Sequence, residues 1–514
     1  MLEPSPEFDL TLGVDLGTSA VKVLALDAAG AVAGEAQGHF ATLSEVPLQA
    51  MQNPADWLAA LSSAMRDLGL SLSTRFGDGW RRRVAAIALT GQLPTLVCLA
   101  EREPMAPAIT WRDGRADQFA SQRLGDAQRR RMYARTGMPI DGRYLAPMLQ
   151  FHFQGRLDAL RCILSAKDYF LYALTGVRAT EPSTAAGYGL YDLIERRFSS
   201  ELAAFWDIAL DKLPPILPSN SIAAPLSEAG AQLLQLPPGI PVSTGAADSV
   251  CAAYAMSGLD PRAASISLGS SAVVIGAAAT AQLDAQARFL VTPHVEAGWY
   301  GREMDLLATG TGYRWLSELF GWADGELDER AAASSAGAQG LFFPPYLGGG
   351  EQGALWNPRL RAGLFGLGLQ HSQNDIARAF LEGVCFELRR CIEVLAEHDP
   401  IERVMVSGNI TRSAGSAQLL ADILNRPVGL VTEKSPAAYG AALLARRALR
   451  HPPTGTPAGI ATGTLAGTAL DTAAGAAVAQ ASLRSMQIIT PSATAAARYD
   501  VLYPDYCEVA ARCA

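Results

Sequence analysis

Two short segments carry the residues best suited to chemistry. Asp15-Leu16-Gly17-Thr18-Ser19-Ala20-Val21-Lys22-Val23 recurs in altered form as Ser267-Leu268-Gly269-Ser270-Ser271-Ala272-Val273-Val274-Ile275. In each, an apolar run enters a Leu-Gly-Thr/Ser-Ser turn and another leaves it, which predicts a β-hairpin with glycine relieving the turn. Such a turn exposes backbone N–H groups and hydroxyl donors, a combination that suits the terminal phosphates of a nucleotide. A plain hairpin turn would use the same residues, but the duplication favours phosphate binding. The first copy adds charge. Asp15 suits Mg²⁺, directly or through water, because that cation prefers carboxylate and phosphate oxygens; Lys22 either meets a phosphate or points to solvent. Ser267 and Val274 stand at the equivalent places of the second copy. One half is therefore expected to position metal and γ-phosphate while the other grips the phosphate chain.

Competing motifs fail. None of the lysines Lys22, Lys167, Lys212 and Lys434 completes Gly-x4-Gly-Lys-Ser/Thr. Gly348-Gly349-Gly350-Glu351-Gln352-Gly353 matches Gly-x-Gly-x-x-Gly but leads into Trp356-Asn357-Pro358 rather than a helix, so it is rejected as a dinucleotide site. No Gly-x-Ser-x-Gly elbow occurs. The 7 cysteines form no Cys-x-x-Cys pair and read as small buried hydrophobes, and the 6 histidines offer no zinc-ligand spacing.

The elements that must position these segments are those of an α/β protein. Strand-like Val84–Leu89 and Arg403–Ser407 alternate with helical patterns at Ala417–Leu424 and from about Asn374, where Ile376, Phe380, Val384, Leu388, Cys391 and Leu395 share one face. With 514 residues the chain predicts at least two domains, and the repeat implies two related halves meeting near Pro241–Gly245, that is 1–243 and 244–514. The Ala/Gly/Thr-rich tract His451–Ala481 reads as irregular connection. A net charge of −8 gives no basic field, which argues against nucleic acid as a partner. The most apolar stretch, Ala272–Ala281, is well short of the roughly 18 residues that span a bilayer. Acid and proline occupy the N-terminus where a secretory signal needs a basic patch and an apolar run, so a cytoplasmic protein is expected.

In order and spacing, these segments resemble the FGGY family of carbohydrate kinases, within the actin/hexokinase/Hsp70-type superfamily, and are most similar to its xylulose kinase branch. The resemblance runs through Gly13–Ser19, Thr90-Gly91-Gln92, Pro107–Arg115, Lys167-Asp168-Tyr169 with Leu174-Thr175-Gly176, Thr244–Asp248 and Ser267–Ser271. Further on, Pro345–Leu347 to Gly366-Leu367 and Asp375–Gly383 resemble the second family signature, with Phe380 where a smaller residue is expected. Ser407-Gly408-Asn409 and Ala437–Ala442 resemble adenosine-side segments.

The resemblance implies an α/β fold of two actin-like ATPase (ribonuclease H-like) domains around a central nucleotide and sugar cleft. It also implies ATP and Mg²⁺ as cofactors, a small-molecule sugar as substrate, no membrane partner, and a chain compatible with a homodimer. Asp248 matches the general base and also touches the sugar; Gly17, Thr18, Ser19, Lys22, Gly269, Ser270, Ser271, Gly408 and Asn409 fall on the nucleotide side. Gln92, Leu93, Trp111, Asp113 and Arg115 fall near the sugar, and Asp15 near the metal. Each has a plainer alternative. Asp248 precedes the Ala-rich run Ser249–Met256 and would equally cap a helix; Trp111 would fill core, Asp113 and Arg115 would form a surface ion pair, and Gly408-Asn409 would be a strand-to-helix turn. Leu93-Pro94 stands where the xylulose kinase branch has Met-His, and Ser249 where it has Asn. The function expected is ATP-dependent phosphorylation of a primary hydroxyl of a pentulose, D-xylulose to D-xylulose 5-phosphate foremost. Kinases of ribulose, glycerol or a heptulose are the alternatives within the family, and an actin- or chaperone-like ATPase without a sugar is the alternative outside it.

Overall fold

The strand Leu10–Leu16 is buried along its whole length, Asp15 included, because helices cover both faces of its sheet. The computed structural model describes residues 9–348, 353–357, 359–408, 413–450 and 486–513. Asn409, residues 349–352 and the 451–481 tract lie outside the described residues. The strands are β1 (Leu10–Leu16), β2 (Ala20–Leu26), β3 (Val32–His39), β4 (Met51–Gln52), β5 (Val84–Gly91), β6 (Thr95–Leu99), β7 (Ala108–Thr110), β8 (Cys162–Ser165), β9 (Tyr191–Asp192), β10 (Arg197–Phe198), β11 (Ile222–Pro225), β12 (Pro241–Ala247), β13 (Ala263–Leu268), β14 (Ala272–Ala278), β15 (Leu290–Pro293), β16 (Tyr300–Leu306), β17 (Arg403–Gly408), β18 (Val428–Leu430) and β19 (Gln487–Ile489).

Two compact units result, and the chain does not divide between them at one point. Among the described residues, the first unit holds 9–255, Val291–Tyr300 and 435–450; the second holds Met256–Leu290, 301–434 and 486–513.

The main sheet of the first unit runs β11-β12-β5-β1-β2-β3, with β12, β5 and β1 parallel and β1, β2 and β3 antiparallel. The helix Pro54–Phe76 starts where the Asn53 side chain accepts from the Ala55 N–H at 3.2 Å and proline takes the first turn. It buries Trp57, Leu61, Met65, Leu68 and Leu72, one stripe at helical spacing. Against it β3 carries Gly38, where a Cβ would lie 2.1 Å from the Ala60 carbonyl oxygen. The helix Pro436–Arg450 packs on β1, β2 and β5, and a Cβ on Gly13 would lie 1.8 Å from the Ala438 oxygen. Ala437–Ala442, expected on the adenosine side, thus belongs to the first unit. Its small residues serve packing: Gly440 abuts the Cys251 carbonyl, and the Tyr439 hydroxyl donates to the Gly30 oxygen at 3.0 Å.

The second unit repeats the central motif. Its sheet includes β16-β14-β13-β17-β18-β19, with β14 antiparallel to β13 and the strands β13, β17 and β18 parallel. The two hairpins expected from the sequence repeat are therefore β1–β2 and β13–β14, each beside parallel strands. The helix Gln373–Ala396 opens with a capping box between Ser372 and Asp375 and buries the predicted Phe380, Val384, Leu388, Cys391 and Leu395.

Candidate active site

Register brings three predicted residues to one edge of the first unit's sheet. Asp15 stands opposite Thr90 of β5 and Lys22 of β2, and Ala247 stands opposite Gly91. The C-terminal ends of the parallel strands β1, β5 and β12 therefore deliver Asp15, Gln92 and Asp248 side by side, and neighbouring strands spaced ~4.8 Å put the outer two about 10 Å apart. This end of an open α/β sheet is where ligands ordinarily bind.

Asp15 is 5% exposed, and its Oδ1 has no hydrogen-bond partner. Burial raises its carboxyl above the usual range, against the opposing pull of Lys22. A buried carboxylate oxygen without a protein donor fits a hard cation. The described residues form no group of three or more His, Cys, Asp or Glu side chains that could hold a metal, and a single carboxylate completed by phosphate and water oxygens is a usual pattern for Mg²⁺.

At the hairpin tip the Gly17 N–H donates to the Ala20 carbonyl at 3.0 Å, leaving Thr18 and Ser19 outermost. Glycine does not relieve these turns as expected: neither Gly17 nor Gly269 has a positive φ. At Gly17 the constraint is space, since a Cβ would sit 3.3 Å from the Ala20 oxygen. The two hairpins also differ in register. Leu16 pairs with Val21 but Leu268 pairs with Ala272, so the second connection is one residue shorter. Asp15 consequently faces Lys22, whereas Val274 faces Ile266 rather than Ser267.

Gln92 is 1% exposed and works as a brace. Its N–H donates to Leu16, and its Nε2 donates to Gln52 Oε1 at 2.7 Å; the Gln52 Nε2 in turn donates to the Thr18 carbonyl at 2.8 Å. Trp57 Nε1 fixes the Gln52 amide by donating to the same Oε1. Gln92 Oε1 itself has no protein partner. Sequence reading missed Gln52, because nothing in Ala50–Asn53 announces a buried amide.

The neighbouring predicted residues are placed as follows. Leu93 is half-buried against Gly187, where a Cβ would lie 2.5 Å from Leu93 Cδ1. Trp111 is half-buried just after β7. Asp113 and Arg115 do pair, at 2.6 Å, but as an interior clasp rather than a surface pair: Asp113 is fully buried and also accepts from the Ala50 N–H at 3.0 Å. Burial alone would raise the Asp113 carboxyl, yet the His152 imidazole, the Arg115 guanidinium and two backbone N–H groups together hold it well below the usual range. Lys167 and Asp168, part of the family resemblance, form another interior pair at 2.8 Å, with Lys167 Nζ also donating to the Thr244 carbonyl.

Asp248 begins the helix Asp248–Ser257, as expected, and is half-buried with Oδ1 accepting from the Ser249 N–H at 2.8 Å. Just before it, β12 bulges between Ser243 and Ala246, and Gly245 adopts φ 71°. A Cβ on Gly245 would lie 1.6 Å from the Leu89 oxygen, so only glycine fits.

In the second unit the hairpin tip is backed by a residue that sequence reading also missed. A Cβ on Gly310 would lie 2.2 Å from the Gly269 oxygen, and the Thr311 N–H and hydroxyl both donate to Ser270. Gly408 has φ 101° and lies against Leu268, which gives it a packing reason to be glycine. Beside the tip opens a cavity of about 830 Å³ lined by Gly269, Ser270, Tyr313, Trp322, Phe380 and Ser416, among others. Tyr313 donates to Asp328 at 2.6 Å, and the Ser416 hydroxyl donates to the same carboxylate. Burial, reinforced by Asp328, pushes the Tyr313 hydroxyl well above its usual range. Phe380, large where a smaller residue was expected, packs edge-on to Phe343 with ring centroids 5.4 Å apart, in the room left by Gly312. The volume and the mixed apolar and polar lining suit a nucleoside.

Two sheets of this topology, each with a hairpin beside parallel strands, define an α/β protein of the actin-like ATPase type. Residues 10–255 match the N-terminal domain and 264–449 the C-terminal domain of the FGGY family of carbohydrate kinases, and the chain belongs to that family. It is a sugar kinase that uses ATP, which sets aside the sugar-free ATPase alternative. It is 30% identical to the xylulose kinase of Escherichia coli K12 over 444 residues, 85% of this chain and 89% of that protein. It is 24% identical to the gluconokinase of Bacillus licheniformis over 455 residues, 84% and 86% of the two chains. The crystal structure of xylulose kinase from Rhodospirillum rubrum superposes with a TM-score of 0.82 at 27% identity, covering 98% of each chain. No helix among the described residues is long and apolar enough to cross a membrane.

Proposed function

We propose that the protein transfers the γ-phosphoryl group of ATP to the primary hydroxyl of D-xylulose, giving D-xylulose 5-phosphate and ADP. The observation that carries this reading is the delivery of Asp15, Gln92 and Asp248 to one sheet edge by three parallel strands. Asp248 takes the hydroxyl proton as that oxygen attacks the γ-phosphorus, and the bond from phosphorus to the ADP oxygen breaks. Asp15 would hold Mg²⁺, which offsets the negative charge of the phosphates. Thr18 and Ser19 of the first hairpin and Ser270 and Ser271 of the second present hydroxyl and N–H donors to phosphate oxygens, and Lys22 adds positive charge. The cavity beside the second hairpin takes the adenosine, with Gly408 and Asn409 as further nucleotide-binding residues. Leu93, Trp111, Asp113 and Arg115 shape the sugar side, Asp113 and Arg115 by holding the backbone around Ala50.

A second acceptor, another ketose or a polyol such as ribulose, glycerol or a heptulose, is favoured by one observation. Leu93, packed against Gly187, offers no hydrogen bond at the position next to Gln92, and selectivity for a hydroxyl rests on such groups. ADP release measured over D-xylulose, ribulose, glycerol, gluconate and sedoheptulose separates the two; the highest kcat/KM is expected for D-xylulose. Full turnover without any sugar would overturn both. Asp248→Ala should lower sugar-dependent kcat by about 10²–10⁴-fold with ATP still bound, and retained turnover would place the base elsewhere.

A further inference from the structure

The Ala246–Ala247 peptide group, one before the Asp248 linkage, is held by side chains at both ends. Past the bulge and the positive φ of Gly245, Ala246 and Ala247 stand opposite Thr90 and Gly91 of β5, and two side-chain hydroxyls hold the peptide between them. Thr90 Oγ1 donates to the Ala246 oxygen at 2.7 Å, and the Ala247 N–H donates to Ser183 Oγ at 2.9 Å. These are the two ends of one peptide plane, gripped from β5 on one side and from the short helix Pro182–Ala186 on the other.

The grip has a fixed polarity. Glu181 is fully buried, and its carboxylate accepts from the Ser183 N–H, the Thr184 N–H, the Ser219 hydroxyl and the Ser183 hydroxyl, all at 2.8 Å. A carboxylate has no proton to give in these bonds, so the Ser183 hydroxyl must donate toward Glu181 and keep a lone pair for Ala247. Thr90, Ser183, Ser219 and Glu181 are all nearly or fully buried.

We infer that Thr90 and Ser183, the latter oriented by Glu181, are positioning residues that set the Ala246–Ala247 peptide plane and so aim the Asp248 carboxylate at the acceptor hydroxyl. The inference rests on the reading of Asp248 as the base. Thr90→Val keeps shape and loses the hydroxyl; Thr90→Ser keeps the hydroxyl; Ser183→Ala loses the other grip.

The test measures sugar-dependent turnover, sugar-independent ADP release, ATP affinity and Tm on the full chain. Thr90→Val and Ser183→Ala are each expected to lower sugar-dependent kcat by about 10-fold or more, with sugar-independent ADP release and ATP Kd within about threefold of wild type. Thr90→Ser should restore kcat to within about threefold. The double variant should fall less than the product of the single losses, because both hydroxyls hold one peptide. A parallel loss of both activities, failure of Thr90→Ser to recover, or undiminished turnover in both single variants would overturn the inference. Retained turnover in Asp248→Ala would instead overturn the reading on which it rests.

Discussion

Asp15 carries a buried carboxyl that burial raises against the opposing pull of Lys22. Its carboxyl titrates above the ordinary value in the folded chain, so the folded state binds that proton more tightly than the unfolded state does. The contribution of this group to stability is thus fully present at pH below the ordinary carboxylate value and is lost as pH rises through the raised one. Asp15→Asn removes the charge. In the absence of nucleotide and metal its Tm at pH 8 should exceed that of wild type by about 2 °C, and the gap should close on acidification; a gap that widens in acid would contradict the assignment. The same variant should lower Mg²⁺-dependent turnover, and an unchanged metal dependence would contradict a metal role for Asp15. Asp15 was legible in the sequence because Asp-Leu-Gly-Thr-Ser is distinctive and recurs. Gln52, Ser183 and Gly310 were not, because their roles come from backbone groups 34 to 64 residues away in the chain. Asp113 was legible as half of an ion pair, but no local pattern shows that the pair is interior.

At the scale of elements, glycine spacing decides which strands and helices can meet. Gly245→Ala would force a Cβ to 1.6 Å from the Leu89 oxygen in a left-handed backbone. A loss of about 3 kcal/mol or more in unfolding free energy is expected, read from denaturant midpoints. Gly310→Ala acts more locally. Its Cβ would press on the Gly269 oxygen, so the second hairpin tip must shift; ATP affinity should weaken by about tenfold while kcat at saturating ATP changes much less. Both hairpins, the strand Val84–Gly91 and the long helix from Gln373 were legible from apolar periodicity and the turn residues. The one-residue difference between the hairpins was not, because aligned sequence copies hide a change in pairing register. The helix Pro436–Arg450 shows the same limit. Its run of small residues announces close packing without naming the partner, and the partner proved to be β1.

At the scale of the molecule, the first unit is assembled from separated stretches of chain. Arg447 and Asn220 both engage Glu296, joining three of them within that unit. A fragment ending at residue 255 lacks the helix Pro436–Arg450 that covers Leu24 and Leu26. Expressed alone, it should aggregate or melt without cooperativity. The same fragment with 435–450 joined through a flexible linker should recover a cooperative transition, detectable by circular dichroism.

That arrangement also governs timing during synthesis. Strands β1 and β2 leave the ribosome among the first residues, yet the helix that closes one face of their sheet is translated after nearly the whole second unit. At about 5–20 residues per second the delay is about 20–80 s. Throughout it Leu24, Leu26 and the groove over Gly13 are open to any apolar surface nearby. The nascent first unit should therefore be a client for chaperones until the helix arrives, even though the strands carrying Asp15, Gln92 and Asp248 are already made.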